Sequence, residues 1–244
     1  VEDYVGRLEA IDPALLTVDE QFAFWVNLYN AKTAAIVARH YPVDSIRDIR
    51  LSLNPFSGPW KANVVTVAGH NLSLDDIEHG ILRPVWKDPR IHYTVNCASI
   101  GCPNLAVRAY TGSRLDEMLD RAAKAYVNSP RGAQFNGGRL SVSSLYDWYA
   151  SDFGKNSTEI LAHIGRYAKA PLAEHLRNAN QIDVVLPEIF FSPIDKTLFN
   201  RIVSRQFVSA VPQIAVAGAD YRDVNGLFDR PRPGEMSINR ISGR

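Results

Sequence analysis

The stretch that decides the fold is DEQFAFWVNLYNAKTAAIVARH, residues 19–40. Its apolar side chains recur at helical spacing, which predicts an α-helix with one buried stripe, and Pro42 follows the predicted end. Asn30 falls at the edge of that stripe, and Asn27 lies further round the helix. An amide at the boundary of a core must find partners. These asparagines therefore either hydrogen-bond neighbouring backbone or contact a ligand.

A second informative stretch is RIHYTVNCASIGCP, residues 90–103, which contains both cysteines of the chain. The alternation of apolar and polar residues predicts a half-buried strand over residues 91–96. The small residues that follow predict a tight turn, closed by Pro103. Such a turn frees backbone N–H groups that could stabilise a developing negative charge.

Cys97, at the end of the predicted strand, has three interpretations. It is a small hydrophobe buried under the turn, a nucleophile or redox thiol, or half of a disulfide with Cys102. Closing so short a loop is geometrically demanding. Two cysteines in 244 residues also do not make a disulfide scaffold. The three interpretations stay open at this point.

A second helix is predicted over residues 74–83, ended by Pro84. Glu78 falls inside its apolar arc and His79 lies on the flank. A carboxylate that faces a core is costly unless it is paired or protonated, and such groups are enriched at functional sites. The structural alternatives are a hydrogen-bonding network for Glu78 and a pair between His79 and Asp75, one turn earlier.

Spacing decides which histidine could activate Cys97. On a continuous strand, five residues span roughly 16 Å and odd offsets face opposite sides, so His92 is not expected to contact Cys97 directly. His79 is the preferred base, with Glu78 to orient it. A base is needed because a free cysteine has a pKa of about 8.5 and is mostly protonated at neutral pH.

Composition and residue spacing argue against several classes of partner and site. A net charge of +1 gives no reason to expect nucleic acid or an anionic membrane as the main partner. No stretch approaches the ~20 apolar residues of a membrane span. A zinc site from Cys97, Cys102, His92 and His79 has the right ligand count but not the usual thiolate spacing. The chain begins at Val1 rather than Met, as it would after removal of an export signal.

Several ordered segments together resemble the domain-of-unknown-function family 547, over about residues 15–170. The matching segments are FWVNLYNA (24–31), LDDIEHGILR (74–83), DPRIH (88–92), NC (96–97), CP (102–103), WY (148–149) and DFG (152–154). The resemblance implies comparison with papain- or transglutaminase-like hydrolases, although those place their cysteine on the central helix. It also implies an exported protein, in the periplasm or at the cell surface, because bacterial relatives often look exported.

We therefore expect a helix-rich α+β domain around a small β-sheet, with a papain- or transglutaminase-like core. Residues 1–182 are expected to form the family-547-like domain, and residues 183–244 an extension with one helix and an exposed tail, either separate or packed on the same core. The capping boxes Ser73–Asp76 and Ser113–Asp116 mark predicted helix starts within the domain.

The predicted function is a thiol-dependent hydrolase or acyl transferase for a small peptide-like ligand, without a cofactor. The alternative is a non-catalytic module that binds a peptide, a small thiol such as glutathione, or a partner protein. The predicted catalytic residues are Cys97, His79 and Glu78. The predicted ligand-binding residues are Asn27, Asn30, Arg83, His92, Asn96 and Ser99.

Overall fold

The computed structural model describes residues 1–51, 58–99, 101–136, 139–178 and 182–184. The α-helices are α1 (Glu2–Glu9), α2 (Val18–His40), α3 (Arg83–Trp86), α4 (Leu115–Val127), α5 (Leu145–Trp148), α6 (Ala150–Phe153), α7 (Ser157–Tyr167) and α8 (Leu172–Asn178). A π-helix spans Asp76–Leu82, and short 3-10 helices span Pro13–Leu15, Ile46–Asp48, Pro89–Tyr93 and Gly112–Arg114. The predicted helix-rich α+β class is confirmed.

Within the part of the chain that the structure describes, the strands form two small sheets. Strands β1 (Val65–Val67) and β2 (His70–Leu72) make an antiparallel pair. Strands β3 (Ala133–Asn136), β4 (Arg139–Val142) and β5 (Ile182–Val184) make the other sheet, with β4 antiparallel to β3 and parallel to β5. The predicted domain boundary at residue 182 therefore falls within a strand of this sheet.

Helix α2 is the central element of the fold. It begins with a capping box, in which the Thr17 hydroxyl accepts from the Glu20 N–H and the Glu20 carboxylate accepts from the Thr17 N–H. Every residue from Gln21 to Ala31 is buried, so the helix has no solvent-facing side there. The single buried stripe predicted from the sequence is therefore wrong. Other elements, including α1, α4 and the π-helix, pack around α2.

Two predicted helix boundaries need correction, one after the π-helix and one at the start of α4. The reciprocal Ser73–Asp76 capping box is present, as predicted. Pro84, however, does not end the helical segment, because α3 follows the π-helix directly and contains Pro84 near its start. The chain leaves α3 at Lys87, which has a left-handed φ of 53°. The predicted Ser113–Asp116 box is absent, since a 3-10 turn occupies residues 112–114.

The predicted strand over residues 91–96 is also wrong, since a 3-10 helix spans Pro89–Tyr93. Asp88 caps it by accepting the Arg90 N–H, and Pro89 supplies a preset φ at its first position. A 3-10 helix places successive side chains around its axis rather than on two faces. Its apolar residues therefore reach two different cores, which mimics strand alternation in the sequence.

The buried side chains of the described residues form two hydrophobic cores, and this 3-10 helix lies between them. The first core surrounds α2 and includes Ile91, while the second includes Tyr93, Tyr126 and Phe153. Within the described residues, no helix is long and apolar enough to cross a membrane. The helix predicted near residues 192–206 and the exposed tail from residue 229 lie outside the described residues.

Candidate functional site

A cavity of about 160 Å³ opens where the two cores meet. Tyr29 and Trp60 line it from the side of the first core, and Leu145 and Tyr149 line it from the second. The cysteine turn closes another side. A cavity between packed units is a common position for a small-molecule site.

Cys97 and Cys102 are paired in a disulfide, with their Cα atoms 6.4 Å apart, and both line the cavity. The turn between them is anchored from outside: the Tyr126 hydroxyl donates to the Gly101 carbonyl at 2.8 Å, and Arg131 Nη1 donates to the Cys102 carbonyl at 2.9 Å. Of the three interpretations of Cys97, the structure therefore contains the disulfide. A nucleophilic Cys97 requires reduction of this bond.

The backbone of the cysteine turn contains one strained residue, and two of its N–H groups already have hydrogen-bond acceptors. Ala98 has a φ of 62°, a left-handed conformation that is uncommon outside glycine and occurs at functional sites. Its N–H donates to Asn96 Oδ1 at 2.7 Å, and the Gly101 N–H donates to the Ser99 hydroxyl. These two N–H groups are therefore already used within the turn, whereas the sequence predicted them as donors to an oxyanion.

Three buried or half-buried asparagines fix backbone segments in this region, and two of them, Asn30 and Asn96, hold the cysteine turn. Asn30 Nδ2 donates to the Thr94 carbonyl at 2.8 Å, and its Oδ1 accepts from the Asn96 N–H at 2.9 Å. Asn27 makes the same reciprocal pair with the backbone of Tyr110. Of the two alternatives predicted for Asn27 and Asn30, backbone hydrogen bonds or a ligand contact, the structure shows the backbone hydrogen bonds. Asn96 Nδ2 in turn donates to the Pro103 carbonyl at 2.6 Å.

Glu78 is buried, as predicted, with 8% of its surface exposed, and it lines the cavity. It lies on the π-helix, a rare geometry that occurs frequently at functional sites. The Tyr29 hydroxyl interacts with its carboxylate, and burial together with this negative charge raises the Tyr29 pKa well above its ordinary value. Tyr29 therefore stays a neutral hydrogen-bond donor beside the acid.

His92 lies beside Glu78, in the wall of the same cavity as Cys97. Its Nδ1 is 4.0 Å from Glu78 Oε1, and its Nε2 is 2.7 Å from Asp152 Oδ2. The His92 ring stacks on Tyr149, with the ring centres 4.1 Å apart. The expectation that His92 and Cys97 lie on opposite faces is wrong, because it assumed a strand that does not form.

Arg83 holds Asp152 against His92. Its Nε and Nη2 donate to the two carboxylate oxygens of Asp152, at 2.6 and 3.0 Å, and its guanidinium lies 4.7 Å from the centre of the Tyr149 ring. Burial raises the Asp152 pKa, but hydrogen bonds from His92 and Arg83 outweigh it and hold the pKa below its ordinary range. Asp152 is therefore ionised, and we assign the Nε2 hydrogen of His92 to this bond.

His79 lies apart from the cavity wall. Its Nε2 is 3.6 Å from Asp75, and its Nδ1 is 3.1 Å from Arg83 Nη1. The observed arrangement is thus the structural alternative noted for this residue, a pair with the acid one turn earlier. His79 contacts Arg83 but does not line the cavity, whereas His92 does.

Sequence reasoning missed two parts of this site. Asp152, sixty residues from His92, carried a signal only in the DFG segment of the family resemblance. Tyr149 likewise carried a signal only in the WY segment of the resemblance, and Trp60 gave none, because aromatic residues in loops and short helices are more often core than ligand contacts. Among the described residues, no group of three or more His, Cys, Asp or Glu side chains is placed to hold a metal ion.

Comparison with known proteins gives one match. Residues 13–127 match the model of a family described as "Protein of unknown function, DUF547". No curated protein and no solved structure matches the chain. The matched segment contains Tyr29, Glu78, His92 and both cysteines, whereas Tyr149 and Asp152 lie beyond its end.

Proposed function

Over residues 13–127 the chain belongs to the DUF547 family, whose description assigns no activity, and from that premise we propose a function on the basis of the cavity. We propose that the protein is a thiol-dependent hydrolase or acyl transferase for an amide or thioester of a small peptide-like ligand. Cys97 is the nucleophile once the disulfide is reduced. His92, rather than His79, is the base.

One observation carries this proposal: His92 is held by Asp152 at 2.7 Å and shares a cavity with Cys97. A nucleophile, a base and a carboxylate that orients the base form the general arrangement of nucleophilic catalysis. Because Nε2 is bonded to Asp152, Nδ1 is the nitrogen left to exchange a proton. Tyr149 stacking fixes the plane of the ring.

The reaction begins with reduction of the Cys97–Cys102 bond by two equivalents of a small thiol, which become a disulfide. The Cys97 thiol then transfers its proton to His92 Nδ1, and the thiolate attacks the carbonyl carbon of the ligand. The leaving amine or thiol takes that proton as its bond to the carbonyl breaks. Water or an acceptor amine, deprotonated by His92, releases the acyl group and restores the thiol.

Glu78 has a different role from the one predicted. Its carboxylate lies 4.0 Å from His92 Nδ1, which is beyond hydrogen-bond distance. From there it stabilises the imidazolium that forms when His92 accepts the proton. The orienting function belongs to Asp152.

The test uses Cys102→Ser, which leaves Cys97 as a free thiol without added reductant. The variant should still fold, because removing a disulfide that closes so short a loop lowers the free energy of unfolding by about 2 kcal/mol on the chain-entropy model. We expect iodoacetamide labelling of Cys97 with a midpoint clearly below pH 8.5, the ordinary value of a thiol pKa. Adding His92→Gln should move the midpoint to about pH 8.5.

His79→Gln in the Cys102→Ser background is the matched control, and it should leave the labelling midpoint unchanged. A midpoint at or above pH 8.5 in Cys102→Ser alone would reject an activated thiol. Turnover is measured on a panel of aminoacyl thioesters and anilides. Full turnover by Cys97→Ala would reject Cys97 as the nucleophile.

A second candidate function is supported by the disulfide itself, which lines the cavity. A small thiolate such as glutathione would attack one sulfur, form a mixed disulfide with it, and release the other cysteine as thiolate. The protein would then be a binding module for a thiol or peptide. Incubation of Cys102→Ser with glutathione disulfide, followed by mass spectrometry, should show a stable adduct on Cys97 if this function is correct.

We also propose an exported location, in the periplasm or at the cell surface. A disulfide is maintained in oxidising compartments and is rare in the cytosol of mesophiles, which supports this location. Fractionation of cells that express the natural gene should recover the protein outside the cytoplasm. Recovery in the cytosol would contradict the exported location.

A further inference from the structure

The Glu78 carboxylate has acceptor capacity that the protein does not use. A carboxylate offers about four lone-pair sites. The Tyr29 hydroxyl supplies one donor, and His92 Nδ1 is too distant for a hydrogen bond. Among the residues that the structure describes, no other side chain donates to Glu78. An acceptor this buried in a cavity wall calls for a donor on the ligand.

The charges around Glu78 favour a cationic donor. Asp152 is neutralised by its two-bond pair with Arg83. A His92 that acts as a base is neutral, and the Arg83 charge that reaches Glu78 is engaged mainly with Asp152. Among the described residues, the negative charge of Glu78 is therefore only partly compensated. Arg47 also lines the cavity, but it is exposed, and solvent screens its repulsion of a cation.

The rest of the cavity wall could bind a ligand that has an apolar group and one carbonyl group. Aromatic rings of Tyr29, Trp60, Trp148 and Tyr149 line the cavity, and aromatic faces attract ammonium groups. The indole N–H of Trp60 is buried without a hydrogen-bond partner in the described part of the chain. This N–H could donate to a carbonyl oxygen. At about 160 Å³, the cavity is roughly ten times the minimum volume that holds one water.

Together these features point to the ligand class, and we infer that the cavity binds the amino-terminal residue of a peptide or aminoacyl compound. Its ammonium group lies against Glu78, its side chain among the aromatic rings, and its carbonyl group toward Trp60 and the cysteine turn. The inference rests on the proposed function for the fate of that carbonyl group. The binding step is independent of it.

The test measures binding in a protein that has no reactive sulfur, Cys97→Ser/Cys102→Ser, by titration calorimetry at pH 7. The probes are leucinamide, which carries an ammonium group, and N-acetyl-leucinamide, which does not. We expect leucinamide to bind at least tenfold more tightly, since a hydrogen bond to a charged group is worth that much. Glu78→Gln should abolish the difference between the two probes.

Two controls keep the result specific. Arg47→Gln alters a charge in the same cavity wall and should preserve the preference for leucinamide. Tyr29→Phe removes the competing donor but keeps the acid, and should preserve it also. Equal affinity for the two probes, or an unchanged preference in a folded Glu78→Gln protein, would overturn the inference.

The inference and the proposed function can fail separately. An ammonium preference with an inert Cys97 would leave an aminoacyl-binding module without catalysis. An activated Cys97 with no ammonium preference would leave the thiol chemistry standing and reject this ligand class.

Discussion

Replacement of Asp152 by asparagine tests the charged group behind His92. The substitution keeps the shape of the side chain but removes its charge and turns one acceptor atom into a donor. Four hydrogen bonds end on this carboxylate, from Arg83 Nε, Arg83 Nη2, His92 Nε2 and the neighbouring Ser151 hydroxyl. We expect Asp152→Asn to lower the free energy of unfolding and to release the His92 ring.

The magnitude follows from these contacts. A hydrogen bond to a charged group contributes about 1.5–3 kcal/mol when buried. The side chains of Arg83 and Asp152 are each about one-quarter exposed, so solvent screening reduces this contribution. One oxygen acceptor also survives in the variant. We therefore expect a loss of about 2 kcal/mol at pH 7, or about 4–8 °C in the melting temperature.

The loss should depend on pH in a defined direction. The pKa of Asp152 is lowered in the folded protein, so its contribution is complete above the unfolded value of about 3.9 and is lost as the pH falls below it. The difference between the natural protein and Asp152→Asn should be constant from about pH 5 to pH 7. It should shrink by at most about 1 kcal/mol at pH 3.

Urea unfolding, followed by far-ultraviolet circular dichroism at each pH, measures these differences. Asp147→Asn is the matched control, because it makes the same chemical change on the exposed side of α5. It should alter stability by no more than about 0.5 kcal/mol. A loss below about 0.5 kcal/mol in Asp152→Asn, or a loss that does not shrink at low pH, would refute the reasoning.

Three further predictions concern the central helix and the cavity. Asn30→Leu removes both backbone bonds to Thr94 and Asn96, and should cost about 2–4 kcal/mol in urea unfolding and change the labelling rate of Cys97 in Cys102→Ser. Leu28→Ala, at a fully buried position, should cost about 3 kcal/mol, and a loss under about 1 kcal/mol would contradict the burial. Trp148→Ala, at a side chain 57% exposed on the cavity rim, should cost less than about 1 kcal/mol yet weaken leucinamide binding in calorimetry.

The sequence predicted the helices best where capping and periodicity agree. The Ser73–Asp76 box forms as its pattern predicts, and it begins the helical segment that carries Glu78. The alternation of apolar and polar residues over 91–96 predicted a strand that does not form, because a short 3-10 segment that contacts two cores has the same pattern. Periodicity reports burial, and several local geometries can satisfy it.

The candidate site was predictable in part. The inward position of Glu78 followed from the apolar residues around it, and burial confirms that position. The preference for His79 over His92 failed because it depended on the strand. Asp152 joins the site through a contact across sixty residues, which no local pattern encodes.

The position of the cavity between two cores has a consequence for how the protein melts. A ligand that touches both walls adds RT ln(1 + [L]/Kd) to the folded state, about 2.7 kcal/mol at one hundred times Kd. The ligand contacts are divided between the first core, around α2, and the second core, which Tyr149 packs against. Unfolding of either core therefore removes part of the binding site and releases the ligand. Saturation with ligand should therefore slow the hydrogen exchange of backbone amides in both cores. The bound ligand would couple the two cores, so that they unfold cooperatively.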